Sequence, residues 1–223
     1  TKYNIDIIED ATESLGSEYK GKKTGSFGKT GCFSFNGNKI ITTGGGGMIV
    51  TDDESIAKRA RHLTTQAKSD PFEYDHDEIG YNYRLTNIQA AMGVAQMERL
   101  DEFIDIKRKN YSVYKELLSN IEEVKILDEK PWVRSNFWFY TIKVNNSHKR
   151  PLMEFLLAKD VQVRPIWKLM HTLPMYRDAQ SYAIDNAVKV YDTCINLPCS
   201  VNIKPKEIEF IVSCVESYFR NPG

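Results

Sequence analysis

The stretch "FSFNGNKIITTGGGGM", residues 33–48, decides how this chain folds. A short apolar run leads into polar residues around a single lysine, Lys39, and four glycines (44–47) follow before the chain turns apolar again. Glycine adopts positive φ and allows other groups to approach the backbone closely. The stretch therefore predicts a strand, a tight loop with Lys39 at its tip, and a glycine segment that returns to a second strand and lets the chain pass close to a ligand.

The surrounding sequence is typical of an α/β protein. "NIDIIED" (4–10) is a β-branched run that ends in carboxylates, as a buried parallel strand does at its carboxyl edge. "CFSFN" (32–36) and "GMIVTD" (47–52) predict two more strands. "DDESIAKRARHLTTQA" (52–67) predicts a helix with acidic residues first and basic residues later. Residues 69–84 lack periodicity and predict a long loop, which in a compact domain is usually functional or disordered.

The second half of the sequence indicates a separate α+β part. Apolar residues at three- and four-residue spacing predict a helical stretch from about 86 to 120, which should break near Gly93 or Leu100 and link two domains. Alternating and periodic segments then predict a strand, a helix, a strand and a final helix: "FWFYTIKV" (137–144), "KRPLMEFLLAKD" (149–160), "VQVRPIW" (161–167) and "KPKEIEFIVSCVESYFR" (204–220). We divide the chain at residue 100, into 1–100 and 101–223.

Composition excludes several classes of function. Hydrophobic residues make up 41% of the 223, enough for a sizeable core. Thirty acidic residues balance thirty basic ones, so we expect neither nucleic acid nor a membrane as a partner, and no apolar run is long enough to span a bilayer. The cysteines form no CxxC or zinc pattern, so we expect reduced thiols, no metal and a cytoplasmic location: Cys32, Cys194, Cys199 and Cys214.

Two nucleotide-binding patterns fail on spacing. "GSFGKT" (25–30) looks like the end of a P-loop, but Lys23 stands where the first P-loop glycine is required, and a strand rather than a helix follows. The glycines at 44–47 lack GxGxxG spacing and also precede a strand. The chain itself starts without methionine in the middle of a strand pattern, so we expect it to be the later portion of a longer protein.

Lys39 suggests carbonyl chemistry. Lysine amines form Schiff bases with carbonyl compounds, and pyridoxal phosphate (PLP) is their commonest biological partner. Such a site needs a carboxylate for the pyridine nitrogen and hydroxyl groups for the phosphate. Asp10, at the end of the first strand, suits the first role, and Ser34, five residues before Lys39, suits the second. A solvated loop lysine and a turn or helix-capping aspartate are the alternatives.

Three segments carry a resemblance to a known family: "IEDATESLGS" (8–17), "GCFSFNGNKIITTGGGGMIVTDD" (31–53) and "GYNYRLTNIQAAMGVAQMERLD" (80–101). In this order and spacing they resemble the nucleotide-sugar aminotransferase (DegT-type) family of fold-type I PLP enzymes. The resemblance implies that 1–100 is the C-terminal part of the PLP-binding large domain. It implies that 101–223 is a linker helix and a small α+β C-terminal domain. The family's N-terminal part is missing.

The resemblance also implies roles for single residues. Lys39 matches the lysine that bonds to the cofactor aldehyde, and Asp10 matches the partner of the pyridine nitrogen. Glu13 matches a residue beside the ring and its 3-hydroxyl, and Ser34 matches a phosphate ligand. Asn82 matches a residue that reaches the phosphate of the neighbouring subunit's cofactor, which implies a homodimer with shared active sites.

The implied substrate is a nucleotide sugar. "SFNGNKIITT", "TTQAKSDPFEYDHDEIGYNYRLTN" and "VRPIWKLMH" resemble aminotransferases that act on UDP-linked 4-keto-6-deoxy-N-acetylhexosamines. Arg84 matches a position that supports the subunit interface or the substrate. Arg164, Lys168 and His171 are suited to hold a diphosphate, with Trp167 packed nearby. The alternative is a polar rim in which Trp167 belongs to the core.

The predicted reaction moves an amino group from glutamate to C4 of the UDP-linked ketosugar. Two alternatives remain: a dTDP- or GDP-linked ketosugar as substrate, and a non-catalytic family member that binds or regulates. A related branch that dehydrates sugars has histidine in place of the lysine, and Lys39 argues against it. Gly45 stands where many members carry an acidic residue, and nothing in the sequence explains that departure.

Overall fold

The computed structural model of this chain describes residues 3–70 and 72–220. The chain forms two compact units. The first contains Thr1–Asp105 and Glu129–Trp138, and the second contains Ile106–Asp128 and Phe139–Gly223. Residues 129–138 thus leave the second part of the sequence and join the first unit. The assignment of 1–100 and 101–223 to a PLP-binding and a small domain concerns their roles and stays a prediction.

The elements alternate along the chain in a mixed α/β order, as the sequence predicts. In chain order they are β1 (Ile8–Asp10), β2 (Glu18–Tyr19), β3 (Lys22–Lys23), β4 (Thr30–Ser34), β5 (Gly47–Val50), α1 (Glu54–Thr64), α2 (Asn87–Met97), α3 (Leu100–Leu118), β6 (Lys125–Ile126), β7 (Val133–Arg134), β8 (Tyr140–Lys143), α4 (Asn146–Leu157), β9 (Arg164–Pro165), α5 (Asp185–Thr193), β10 (Cys194–Leu197) and α6 (Pro205–Arg220). Two short 3-10 turns, Met170–Thr172 and Pro174–Tyr176, follow β9.

The first unit is organised by a three-stranded sheet in the order β1-β4-β5. β1 runs parallel to β4, with Asp10 opposite Cys32, and β5 returns antiparallel to β4, with Gly47 opposite Ser34. Because β1 and β4 are parallel, their carboxyl ends lie at one edge of the sheet, where ligands bind in open α/β sheets. Asp10 and the loop that follows Ser34 therefore start from the same edge.

The expectation that "NIDIIED" is buried is wrong for the described residues. Ile5, Ile7 and Ile8 are 72%, 61% and 74% exposed, and only three residues of the segment form a strand. β1 is an edge strand in the described part of the sheet, and its apolar side chains lie in solvent. A β-branched run predicts a strand, whereas burial also requires the surfaces that pack on it.

A small hydrophobic cluster fixes both ends of the Lys39 loop. Phe35 precedes the loop, Ile41 follows it, and both pack with Leu100 and Ile104 at the start of α3. These four side chains are at most 9% exposed. The loop is therefore anchored on its two sides by burial of apolar area, while its tip is left to polar contacts.

The helices follow the sequence with one clear break. α2 ends at Met97 and α3 begins at Leu100, so the long helical stretch breaks at Leu100 and not at Gly93. Thr86 and Gln89 form a capping box at the start of α2, and the Asp53 side chain caps α1. The predicted loop 69–84 contains neither helix nor strand among its described residues.

Gln96 of α2 holds the far side of the Lys39 loop. Its Oε1 accepts from the Thr42 N–H at 3.0 Å, and its Nε2 donates to the Thr42 carbonyl oxygen at 2.8 Å. A single side chain thereby satisfies both polar groups of one peptide position, 54 residues away in the chain. Leucine in its place would leave both groups without a partner in a partly buried position.

We expect Gln96→Leu to lower the free energy of unfolding by about 1–3 kcal/mol, the usual cost of unsatisfied buried polar groups. Thermal unfolding of the full-length protein measures the loss. Gln162→Leu, at an exposed position of the second unit, is the matched control and should leave the melting temperature within about a degree. Equal melting temperatures for both variants would contradict the role given to Gln96.

The second unit is α+β, as the sequence predicts. Its antiparallel sheet has the order β6-β8-β10-β9, and all four residues of β10 are buried. Lys107 is also buried, and its Nζ donates to the Cys199 carbonyl oxygen at 2.5 Å. Burial lowers the pKa of Lys107, because removal from water disfavours the charged ammonium. The four cysteines are free thiols, as expected.

Among the described residues, none of the helices combines the length and apolar character needed to cross a bilayer.

Candidate active site

Lys39 lies in a tight turn between β4 and β5, as predicted. Its N–H donates to the Asn36 carbonyl oxygen at 3.0 Å, which closes the turn. Below the turn, Phe35 N–H donates to Gly46 O and Thr43 N–H donates to Phe35 O, each at 3.0 Å. These bonds continue the strand pairing up to the turn and fix where the lysine leaves the backbone.

The glycine run meets demands of the protein's own backbone, and its approach to a ligand stays a prediction. Gly44 and Gly46 have φ of +79° and +83°, a region that other residues rarely adopt. At Gly47 an added Cβ would lie 2.4 Å from the Phe33 carbonyl oxygen. Gly45 has neither restriction, so a side chain fits there without strain. Gly44, Gly46 and Gly47 thus shape the return of the chain into β5.

The Lys39 side chain is held between a carboxylate and an aromatic ring. Its Nζ lies 3.4 Å from Glu13 Oε1 and 4.2 Å from the centroid of the Trp138 ring. The side chain is only 12% exposed, so both attractions act with little screening by water. A solvated loop lysine, the alternative considered for this position, does not describe it.

Asp10 ends β1 with its carboxylate in a charged state. The Thr12 N–H donates to Asp10 Oδ1 at 3.2 Å. The Thr12 side-chain hydrogen bond is the main cause that lowers the pKa of Asp10, followed by that backbone bond and, more weakly, by the Lys39 charge. The group therefore stays ionised at neutral pH, as a carboxylate that keeps a proton on a ring nitrogen must. Its exposure leaves it accessible to a ligand.

The neighbouring Glu9 explains the segment that resembles a P-loop. Its carboxylate accepts from the N–H of Gly25 at 2.5 Å and from the N–H of Phe27 at 2.9 Å. The backbone amides that would hold a phosphate thus bind a carboxylate of the protein. An added Cβ at Gly31 would lie 2.2 Å from the Gly25 carbonyl oxygen, so this glycine is needed for packing.

Ser34 is the last residue of β4, beside the strand that Asp10 ends. Its Oγ accepts a long bond of 3.4 Å from the Asn36 N–H. Among the described residues, no acceptor is found for its hydroxyl hydrogen. The hydroxyl is therefore suited to donate to a phosphate oxygen, and its assignment as a phosphate ligand stays a prediction.

Asn82 and Arg84 follow α1 in the first unit. Asn82 pairs with Thr65 in an isolated bridge just after α1. Arg84 is exposed and lines a concave surface with β5 and α1 residues such as Ile49 and Ala60. Within this chain neither residue contacts Lys39, and their roles at a subunit interface stay predictions.

Four of the five predicted substrate residues, all except Arg84, belong to the second unit. Arg164 lies in β9, and its Nη1 donates to the Val163 carbonyl oxygen at 3.0 Å. Trp167 packs edge-on against Phe139 with 6.0 Å between ring centroids, yet it is 56% exposed and is not a core residue. Lys168 is exposed and His171, in the first 3-10 turn, is half-buried. Their part in substrate binding stays a prediction.

Two residues at the site were missed from the sequence: Asn136 and Trp138. Asn136 is buried, and its Nδ2 donates to the carbonyl oxygens of Glu13 and Leu15 at 3.0 and 3.1 Å. The sequence predicts a strand from Phe137, but Phe137 has φ of +45° and β8 begins only at Tyr140. An asparagine directly before an aromatic run was the available signal of such a turn.

One group of side chains in the described residues has the composition of a metal site. Ligand atoms of His62, Asp77 and Glu78 lie within 4.8 Å of one another. Arg59, however, donates to both carboxylate oxygens of Glu78, and His62 Nε2 lies 2.7 Å from Asp77 Oδ1. These contacts form an ion-pair network that fastens the 75–84 loop to α1.

A partly buried lysine that pairs with a carboxylate, near the carboxyl edge of a parallel strand pair, is the arrangement of α/β proteins whose lysine is suited to react with a carbonyl group. The chain belongs to the DegT/DnrJ/EryC1/StrS aminotransferase family, whose sequence profile matches residues 1–216. The resemblance found from the sequence is thereby confirmed. PLP, the expected cofactor, is the cofactor of this family.

Three known proteins illustrate the relationship. EpsN of Bacillus subtilis, to which PLP-dependent aminotransferase activity is attributed, is 41% identical over 92% of this chain and 54% of its own length. GDP-perosamine synthase of Escherichia coli O157:H7 is 38% identical over 97% of this chain and 59% of its own length. PseC of Helicobacter pylori, an aminotransferase involved in the biosynthesis of pseudoaminic acid, has a solved structure with a TM-score of 0.91. It is 25% identical over 98% of this chain and 61% of its own.

These matches confirm the predicted fold class, that of the PLP-dependent transferases. The chain spans between 54% and 61% of the length of these three proteins. The activity, substrates and partners of the whole protein are therefore matters for proposal.

Proposed function

We propose that the whole protein is a PLP-dependent aminotransferase. It moves an amino group from glutamate to C4 of a UDP-linked 4-keto-6-deoxy-N-acetylhexosamine. The observation that carries the proposal is the position of Lys39, whose Nζ lies 3.4 Å from Glu13 at the edge where Asp10 ends β1. PLP needs a primary amine to react with its aldehyde and a charged carboxylate to pair with its ring nitrogen. This strand edge offers both groups.

The side chains present fit PLP by their chemistry. When bound, PLP supplies an aldehyde that exchanges amino groups and a ring that draws electrons from the amino acid Cα. Asp10 stays ionised through the Thr12 bonds, so it can hold a proton on a ring nitrogen. Ser34 offers a hydroxyl donor for phosphate at the end of the adjacent strand.

Lys39 and Glu13 have separate roles in the proposed reaction. Lys39, once released from the cofactor, would take the proton from the Cα of glutamate and deliver it to the cofactor within the same half-reaction; in the second half it would move a proton in the reverse direction, toward C4 of the sugar. Glu13 accepts from the lysine and directs its nitrogen toward the strand edge. Low exposure of the Lys39 side chain keeps water from competing for the proton.

The nucleotide of the substrate is the finer part of the proposal. The segments around Lys39, around Asn82 and around Trp167 resemble enzymes for UDP-linked sugars, which favours UDP. The relationship to a GDP-perosamine synthase at 38% identity favours GDP as the second candidate. Arg164, Lys168 and His171 suit a diphosphate of either nucleotide and do not read the base.

The proposed partners follow from the same assignments. They are glutamate, the nucleotide sugar and a second copy of the protein, whose cofactor phosphate Asn82 reaches across the dimer. Asn82 and Tyr83 are exposed in this chain, as residues directed at another subunit would be. Balanced charge and free thiols fit an enzyme of the cytoplasm, where nucleotide sugars are made.

The test uses the full-length protein incubated with PLP. We expect a visible absorption band from lysine-bound cofactor that fades when glutamate is added, and borohydride reduction should place the adduct on Lys39 in a peptide map. UDP-, GDP- and dTDP-linked 4-ketosugars are then compared as amino acceptors, and we expect the highest kcat/KM for the UDP compound. No band, or an adduct on another lysine, would favour the non-catalytic alternative. A preference for the GDP compound would keep the enzyme and replace its substrate.

A further inference from the structure

Trp138 joins the site from a distant part of the chain. Its ring centroid lies 4.2 Å from Lys39 Nζ, and it is 7% exposed. Its Nε1 donates to the carbonyl oxygen of Asn38 at 2.6 Å, across 100 residues of sequence. Because Asn38 directly precedes Lys39, this bond fixes the ring relative to the backbone that carries the lysine.

Asn136 fixes the backbone of Trp138. Asn136 Oδ1 accepts from the Trp138 N–H at 2.9 Å, while its Nδ2 donates to the Glu13 carbonyl oxygen at 3.0 Å. The Asn136 N–H donates to Ser17 Oγ at 2.9 Å in a buried position. One buried asparagine thus holds the backbone of both groups that contact the lysine, the Glu13 carboxylate and the Trp138 ring.

We propose that Trp138 is a positioning residue for Lys39. Its ring face and the Glu13 carboxylate form a resting place for the lysine ammonium whenever the amine is not bonded to the cofactor. This inference rests on the proposed function for its role in the reaction. The contact itself belongs to the chain without cofactor.

The physical basis is the attraction of an ammonium to an aromatic face. Indole is the strongest of the natural rings in this respect, and exclusion of water strengthens the attraction. A lysine side chain has four rotatable bonds, so a released Lys39 without a platform would spread over many rotamers. After it accepts a proton from the substrate, a charged Lys39 held by Trp138 would stay within reach of the atom to which it must next pass that proton.

The experiment measures the chemical reactivity of Lys39 in the full-length protein without PLP. Trace acetylation with acetic anhydride at pH 8, followed by peptide mass mapping, gives the rate at each lysine. Removal of the ring in Trp138→Leu exposes and loosens the amine, so we expect Lys39 to react about three to ten times faster. Trp138→Phe retains a weaker ring and should fall between wild type and the leucine variant.

Trp132→Leu is the matched control. Trp132 lies in the same segment as Trp138, residues 129–138, but is 51% exposed. Its replacement should leave the acetylation rate of Lys39 unchanged. Thermal unfolding and the reactivity of the buried Lys107 report whether each variant is folded. If the leucine variant does not fold, Trp138→Phe decides. A folded phenylalanine variant with the wild-type Lys39 rate would overturn the proposal.

The PLP-loaded protein provides a second readout. In Trp138→Leu we expect the rate of the half-reaction with glutamate to fall about tenfold, with partial rescue in Trp138→Phe and an unchanged KM for the nucleotide sugar. Unchanged acetylation together with a PLP band in wild type would reject only the role of Trp138. Altered acetylation with no PLP band would reject the proposed function and leave Trp138 as a residue that merely contacts Lys39.

Discussion

Lys39→Arg in the full-length protein should lose the half-reaction with glutamate, with a rate at least about a thousandfold below wild type. Arginine keeps a positive charge next to Glu13 and the Trp138 ring, so it can still form an ion pair with Glu13 and a cation–π contact with Trp138. The guanidinium remains protonated in proteins, however, and cannot accept a proton from the amino acid Cα. It is also unsuited to bond with an aldehyde carbon.

Single-turnover absorption measurements with PLP-loaded protein and glutamate give the rate directly. Lys29→Arg is the matched control, because Lys29 stands just before the other end of β4 and pairs with the exposed Asp6 at 3.2 Å. It should retain wild-type rate and spectrum. A Lys39→Arg variant that melts like wild type and keeps a tenth of its rate would remove Lys39 from the chemistry.

The parts of the site that sequence predicts are those fixed by local structure. Asp10 and Ser34 stand at the ends of short strands and Lys39 stands in a turn, and both features follow from residues within a few positions. Contacts between distant segments were not predictable in this way. Trp138 reaches Asn38 across 100 residues and Gln96 reaches Thr42 across 54. Nothing in either neighbourhood indicates its partner.

The glycine run also shows what cannot be predicted from the sequence alone. The sequence indicates that glycine is needed between 44 and 47, but not which group demands it. At Gly44 and Gly46 the demand is a positive φ, whereas at Gly47 it is the carbonyl of Phe33 on the paired strand. Only the register of β4 with β5 distinguishes these causes, and register is a property of the folded sheet.

Glu9 and Asp10 are adjacent in the chain, yet we expect Glu9 to contribute to stability and Asp10 to activity. Their side chains leave β1 in opposite directions, as successive residues of a strand do. Glu9 binds the amides of Gly25 and Phe27, while Asp10, within the part of the chain that the structure describes, is hydrogen-bonded only to nearby Thr12 and remains exposed. One carboxylate therefore ties two chain segments together, and the other is available to a ligand.

We expect opposite results from the two isosteric substitutions. Asp10→Asn removes the charge that keeps a proton on the ring nitrogen, so the half-reaction with glutamate should slow about a hundredfold or more while the melting temperature stays close to wild type. Glu9→Gln replaces one acceptor oxygen by an NH2 group that faces an N–H donor, which should lower the free energy of unfolding by about 1–3 kcal/mol. The rate of the folded Glu9→Gln protein should remain that of wild type.

Thermal unfolding and single-turnover kinetics on the same preparations distinguish the two effects. Since Thr12 lowers the pKa of Asp10, the wild-type carboxylate is charged throughout the neutral range. Raising the pH from 6 to 8 should therefore leave the ratio of the wild-type half-reaction rate to the Asp10→Asn rate unchanged. A stable Glu9→Gln protein that loses activity would place the cofactor on the other side of β1. A destabilised but active Asp10→Asn protein would give Asp10 the turn-forming role that its sequence position alone also permits.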